Sequence, residues 1–115
     1  MPVPMPDTAT EPGSNGLPVE DFESAMRALY HRAKDEAGYT ATYFLSMLAQ
    51  HGGLETAHRL LAATKVSDGF TALWERQRLD LTVEALVLKP QFQALFSDEE
   101  VQTARRRLAS AFHER

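Results

Sequence analysis

The stretch LDLTVEALVLKP, residues 79–90, decides the fold class of this chain. Leu81, Val83, Ala85 and Val87 alternate as in a strand with one buried face, while Leu81, Ala85 and Leu88 share one side of a helix. Periodicity alone leaves both readings open, and the surroundings choose between them. Every neighbouring segment carries helical spacing, and a lone strand has no ladder to satisfy its backbone N–H and C=O groups. The stretch 81–88 is therefore expected to be a helix, apolar nearly all round and hence central. In that helix Asp80 is a candidate N-cap.

Working downstream, Pro90 ends this helix, and Phe92, Leu95 and Phe96 form a short helical turn. Ser97 and Glu100 then have the S-x-x-E spacing of a capping box, in which each side chain bonds the other's backbone N–H. The helix that follows carries Val101, Ala104, Leu108 and Phe112 inward. Upstream, Ser67 is a natural cap for a helix presenting Phe70, Leu73 and Trp74. Before it, Leu54, Ala57, His58 and Leu61 make a short helix ending near Ala63. Gly52 and Gly53 separate that helix from one over 41–51, capped by Thr40, in which Phe44, Met47, Leu48 and His51 share a face. Phe22, Met26, Leu29, Tyr30, Ala33 and Ala37 define a first helix over 19–37, stopped by Gly38. The sum is an all-α fold, an irregular or orthogonal bundle of five to six short helices, since the connections are short and the helices too unequal for a regular four-helix bundle.

Residues 1–17 read differently. Pro2, Pro4, Pro6 and Pro12 stand among small polar residues, with few larger apolar side chains, Val3, Met5 and Leu17 among them. Such a segment buries too little surface to offset its ordering entropy, so a disordered N-terminal tail is expected at 1–17 and a single helical domain at 18–115. With 115 residues, 43% of them hydrophobic, the chain has enough material for one core. It contains no cysteine, which excludes disulfides, thiolate zinc sites and a cysteine nucleophile. No basic n-region, apolar h-region or membrane-length apolar run is present, so the expected location is the cytoplasm with no membrane contact. A net charge of −4 argues against coating nucleic acid by bulk electrostatics.

The pieces FLSMLAQHGGLETAHRLL, SDGFTALWERQRLDLTVEALVLKPQF and LFSDEEVQTARRRL together resemble a family of small bacterial helical proteins. The likeness runs from Tyr43 to Leu108 and leaves the N-terminal segment outside. It implies a helical fold and carries no activity and no site residue.

Three clusters hold chemistry worth weighing. His51, Glu55 and His58 would lie on one side of an unbroken helix, at about 0, 40 and 340 degrees for 100 degrees per residue, as a metal face requires. Gly52 and Gly53 interrupt that helix, so packing at helix ends is the expected role of both histidines, with no metal and no cofactor. Arg105, Arg106 and Arg107 are the strongest basic cluster, and guanidinium forks suit phosphate oxygens. Consecutive helical residues fan out over about 200 degrees, however, and Asp98, Glu99 and Glu100 in the same helix's first turn lower the field a nucleic acid would meet. Arg105 stands beside the apolar stripe, where its stem is expected to pack. Trp74 with Phe70, ringed by Arg76, Arg78, Glu75 and Asp80, has the composition of either a core wedge or an interaction surface. Ser67-Asp68-Gly69 lacks the preceding strand of a nucleophile turn, and Asp80 with Glu84, four apart, has no further catalytic partner, so no enzyme is expected.

The function expected from these residues is a non-enzymatic helical module that binds a protein partner or itself, with Phe70, Trp74, Arg78 and Arg105 as candidates. The alternative is a nucleic-acid-associated domain using Arg105, Arg106 and Arg107.

Overall fold

A computed structural model describes the backbone of residues 17–114 and the side chains of residues 18–111. The chain order is α1 (Leu17–Ala37), α2 (Thr42–Ala62), α3 (Asp68–Glu75), a 3-10 turn (Leu79–Leu81), α4 (Val83–Val87), a second 3-10 turn (Gln93–Leu95) and α5 (Asp98–Glu114). Among the described residues there is no strand, and the helices form an irregular bundle. The tail expected at 1–17 lies outside the described residues except for Leu17, which opens α1. The Phe112 side chain, expected inward, lies outside them too.

α1 stops where its sequence says. Gly38 adopts φ +67, a left-handed conformation without cost for glycine, and Tyr39 N–H reaches back to Ala33 C=O at 2.9 Å, closing the last turn. α2 begins without the expected Thr40 cap: Ala41 holds the N-cap position and no side chain bonds the first turn. Midway, Gly52 breaks α2 at φ 80, ψ 168, so the paired glycines do divide it into two helical halves. α3 is capped by Ser67, whose Oγ accepts from Phe70 N–H at 3.1 Å.

The segment around 79–90 is helical and central, in two pieces. Leu81, Thr82, Val83, Glu84, Leu86 and Val87 are all buried, as an element packed on both sides requires. The cap is Thr82, whose Oγ1 accepts from Ala85 N–H at 3.1 Å. Asp80 does not cap α4; it sits in the preceding 3-10 turn, where Arg78 holds its carboxylate through two bonds of 3.0 Å. Against α4 packs a core of Phe22, Met26, Leu61, Phe92, Phe96 and Ala104. Phe22 is fully buried and meets the rings of Phe92 and Phe96 edge-on, at 5.2 and 5.4 Å between centroids, an arrangement the ring quadrupoles favour.

α5 opens with the expected capping box: Ser97 N–H donates to Glu100 Oε1 at 2.9 Å and Glu100 N–H donates to Ser97 Oγ at 3.1 Å. Val101 and Ala104 are buried, and Leu108 packs with Ala111 on Phe70, Leu79 and Trp74.

Candidate functional site

Two arginines of the 105–107 cluster exchange the roles their spacing assigns. Taking Ala104 as the centre of the inward stripe, Arg105 and Arg107 flank it nearly symmetrically, at roughly 100 and 60 degrees to either side. The neighbours of α5 break the tie. The C-terminal end of α2 and the buried α4 lie on the Arg107 side, so Arg107 is the arginine that packs, and Arg105 is exposed. Arg107 Nη1 meets Glu84 Oε2 at 2.9 Å, with side chains only 10% and 4% exposed. The same guanidinium donates to Leu60 C=O at 3.1 Å and Ala63 C=O at 2.6 Å, satisfying carbonyls that the end of α2 leaves open. Arg107 thus clamps three elements together and is withdrawn from any phosphate. Arg106 is exposed and bonds Thr103 Oγ1 at 3.2 Å.

Glu84 carries a signal visible in advance: it is the one charge within the apolar run LTVEALVL, and a buried carboxylate requires a partner. Glu23 carries none. Its carboxylate accepts from Gly53 N–H at 2.6 Å and Leu54 N–H at 2.8 Å, capping the second half of α2 from a different helix. The approach is close: a Cβ on Gly53 would stand 3.1 Å from Met26 Cγ and 3.2 Å from Glu23 Cδ, so both side chains would have to shift by a few tenths of an ångström to admit one.

The histidine cluster separates into individual roles. Glu55 pairs with Arg59 at 3.0 Å, and His58 Nδ1 lies 2.6 Å from Glu100 Oε2. Burial pushes the Glu100 carboxyl up, but bonds from His58 and Ser97 outweigh it and hold the group below the ordinary carboxylate range. Among the described residues no three histidine, aspartate or glutamate side chains gather around a common point.

Phe70 and Trp74 do come together with part of the basic cluster. An open groove of about 1010 Å³ runs between α3 and α5, with Phe70, Trp74 and Ala111 along its floor and Thr71, Glu99 and Arg106 among its polar lining. Phe70 is buried and Trp74 partly so, its Nε1–H donating to Ala111 C=O at 3.2 Å. Arg105 does not line this groove. Nor does Arg78, which bonds Glu36 at 2.7 Å and Asp80 at 3.0 Å in an exposed network joined by Arg32. There Arg32, and then Arg78, lower the Glu36 carboxyl to about 2.

No protein-family model, curated protein or solved structure matches this chain. Among the described residues no helix is long and apolar enough to cross a membrane.

Sharing Ala63, Val66 and Phe70 with the groove between α3 and α5, a second cleft of about 530 Å³ lies between α1, both halves of α2, α3 and the 81–84 segment. Tyr30, Tyr39 and Tyr43, all the tyrosines of the chain, line it together with Phe44 and Met47. In the sequence Tyr30 reads only as part of the first helix's stripe, and the three tyrosines, which fall in α1, in the α1–α2 connection and in α2, share no periodic pattern that would join them.

Proposed function

We propose that this chain is a non-enzymatic helical interaction module, acting in the cytoplasm, that binds a protein partner through the groove between α3 and α5. The observation that carries this reading is the pairing, in one open groove, of the Phe70 and Trp74 floor with a rim holding both Glu99 and Arg106. Aromatic floor and mixed-charge rim are the composition of an interface core and its surround. A second copy of the chain is the alternative partner. The resemblance to small bacterial helical proteins fits such a module and adds no chemistry to it.

The test compares variants of exposed groove residues, Thr71→Arg and Arg106→Glu, with Arg105→Glu on the far side of α5. Protein purified from its native host should carry a partner that is lost from both groove variants and retained by Arg105→Glu. Equal retention by all three would overturn the reading, and a concentration-dependent mass for the purified chain alone, abolished by the groove variants, would identify the partner as a second copy.

A further inference from the structure

The tyrosine-lined cleft has a volume in the range of small-molecule sites, about 300 to 1,000 Å³. Its rings come from α1, the α1–α2 connection and α2, with Phe44 and Met47 beside them. Two of the rings are steadied by neighbours: Arg76 stands over Tyr39 at 5.2 Å from the ring centroid, and His31 meets Tyr30 edge-on at 5.3 Å. Among the described residues no hydrogen bond engages the hydroxyl of Tyr30, Tyr39 or Tyr43, which leaves all three phenols available to bond a guest. Tyr43 is 76% exposed and Val66 is 36% exposed, so the mouth of the cleft stands open.

The charged and titratable groups of the wall, the tyrosines apart, are His51, Arg59, Lys65, Asp68 and Glu84. Glu84 is neutralised by Arg107, and Arg59 by Glu55. Asp68 lies in the first turn of α3, where the positive end of that helix's dipole offsets it. α2 is the opposite case. Its first turn contains no acidic residue and no side chain caps it, and Ala41, Tyr43 and Phe44 at that end line the cleft, so its positive end is uncompensated. Lys65 adds a full positive charge, exposed and without an ion pair among the described residues, and His51 can only add to the same sign. Aromatic walls, unbonded phenols and a positive rim together fit a flat apolar body that ends in an anion. We propose that this cleft binds a small aromatic carboxylate, with its rings among Tyr30, Tyr39 and Tyr43 and its carboxylate paired with Lys65 in the field of the α2 N-terminus. The site stands independently of the protein-binding groove between α3 and α5.

The probe is 2-naphthoate, with 2-naphthamide as its neutral counterpart and 2-naphthylmethylammonium as its cationic one. The full-length chain, labelled with ¹⁵N at tyrosine and tryptophan, gives three tyrosine amide signals and the indole N–H of its single tryptophan, Trp74. The tyrosine signals should shift, with half of the effect at about 1 mM 2-naphthoate or below, the strength expected of so small a ligand. The Trp74 indole, in the α3–α5 groove, should stay in place. The amide should bind about two- to five-fold more weakly, which is what one exposed charge contact is worth, and the ammonium more weakly still. Lys65→Glu should erase the preference for the acid and leave the affinity for the amide unchanged, whereas Tyr43→Ala should weaken both. Lys65 and Tyr43 are exposed, so neither change opens the core, and circular dichroism establishes that both variants remain folded. No tyrosine shift at about 10 mM 2-naphthoate would overturn the proposal. Equal binding of the three probes, tighter binding of the ammonium, or an acid preference that survives Lys65→Glu would overturn it as well. A moving Trp74 indole with unmoved tyrosines would place the probe in the α3–α5 groove and overturn it too.

Discussion

Two charge clusters of similar composition sit in opposite surroundings. Glu36, Arg32, Arg78 and Asp80 form an exposed network, their side chains 29% to 57% exposed. Arg107 and Glu84 form a single pair at 10% and 4% exposure. The network has more bonds, yet water competes for each contact and salt screens it, so networks of this kind contribute little to stability. The buried pair has one carboxylate contact, and neither partner has water to fall back on. What matters is thus the cost of leaving one partner behind rather than the number of bonds made.

The sharpest way to break this comparison is Arg107→Ala, which leaves Glu84 buried without its counter-charge and reopens the carbonyls of Leu60 and Ala63. A loss of about 3 to 5 kcal/mol is expected in a denaturant titration. Glu84→Met combined with Arg107→Met should recover most of that loss, because an apolar pair of similar volume needs no counter-charge. A double variant as unstable as Arg107→Ala alone would shift the weight from the ion pair to the clamp on the end of α2. An intermediate case is Glu23→Ala, which strips the cap from Gly53 and Leu54 and is expected to cost about 1 to 2 kcal/mol. Glu36→Gln is the smallest: the melting midpoint should change by little, and by less as salt is added.

Acid titration sharpens the same contrast. The Glu36 carboxyl falls from its usual 4.5 to about 2 in the folded chain. Its contribution is therefore fully present above the usual value and is lost as pH falls from there toward 2. Comparing wild type with Glu36→Gln between pH 6 and 2 should show two stability curves that converge across that window. Curves that stay parallel would mean the network has no differential effect on folding.

Much of the fold was legible in the sequence because local rules set it. Ser67, the Ser97–Glu100 box, Gly38 and the Gly52–Gly53 break all act through neighbours within a few residues. The central position of 81–88 was legible for a different reason, its lack of a polar face. Asp80 as a cap was misleading: both Asp80 and Thr82 are competent caps, and Arg78 draws the aspartate away. The site was harder to read. Arg105 and Arg107 stand on opposite margins of one stripe, and only the position of α2 distinguishes them. Glu23 lies on the first helix and acts 30 residues away, a link that no local pattern encodes. Phe70 and Trp74 were legible as a pair, whereas the groove they floor requires α5 to be placed.

The capping of α2 by Glu23 has a kinetic side. In an unbroken helix, amides in the middle are protected by bonds to the preceding turn, and local fraying exchanges them from the ends inward. Gly53 and Leu54 lie mid-element, but their protons are held by a carboxylate on α1. Their exchange with solvent deuterium consequently requires release of the Glu23 carboxylate, by rotation of that side chain or by α1 lifting away from α2. These two amides are a built-in reporter on the contact between the first two helices, readable without any substitution.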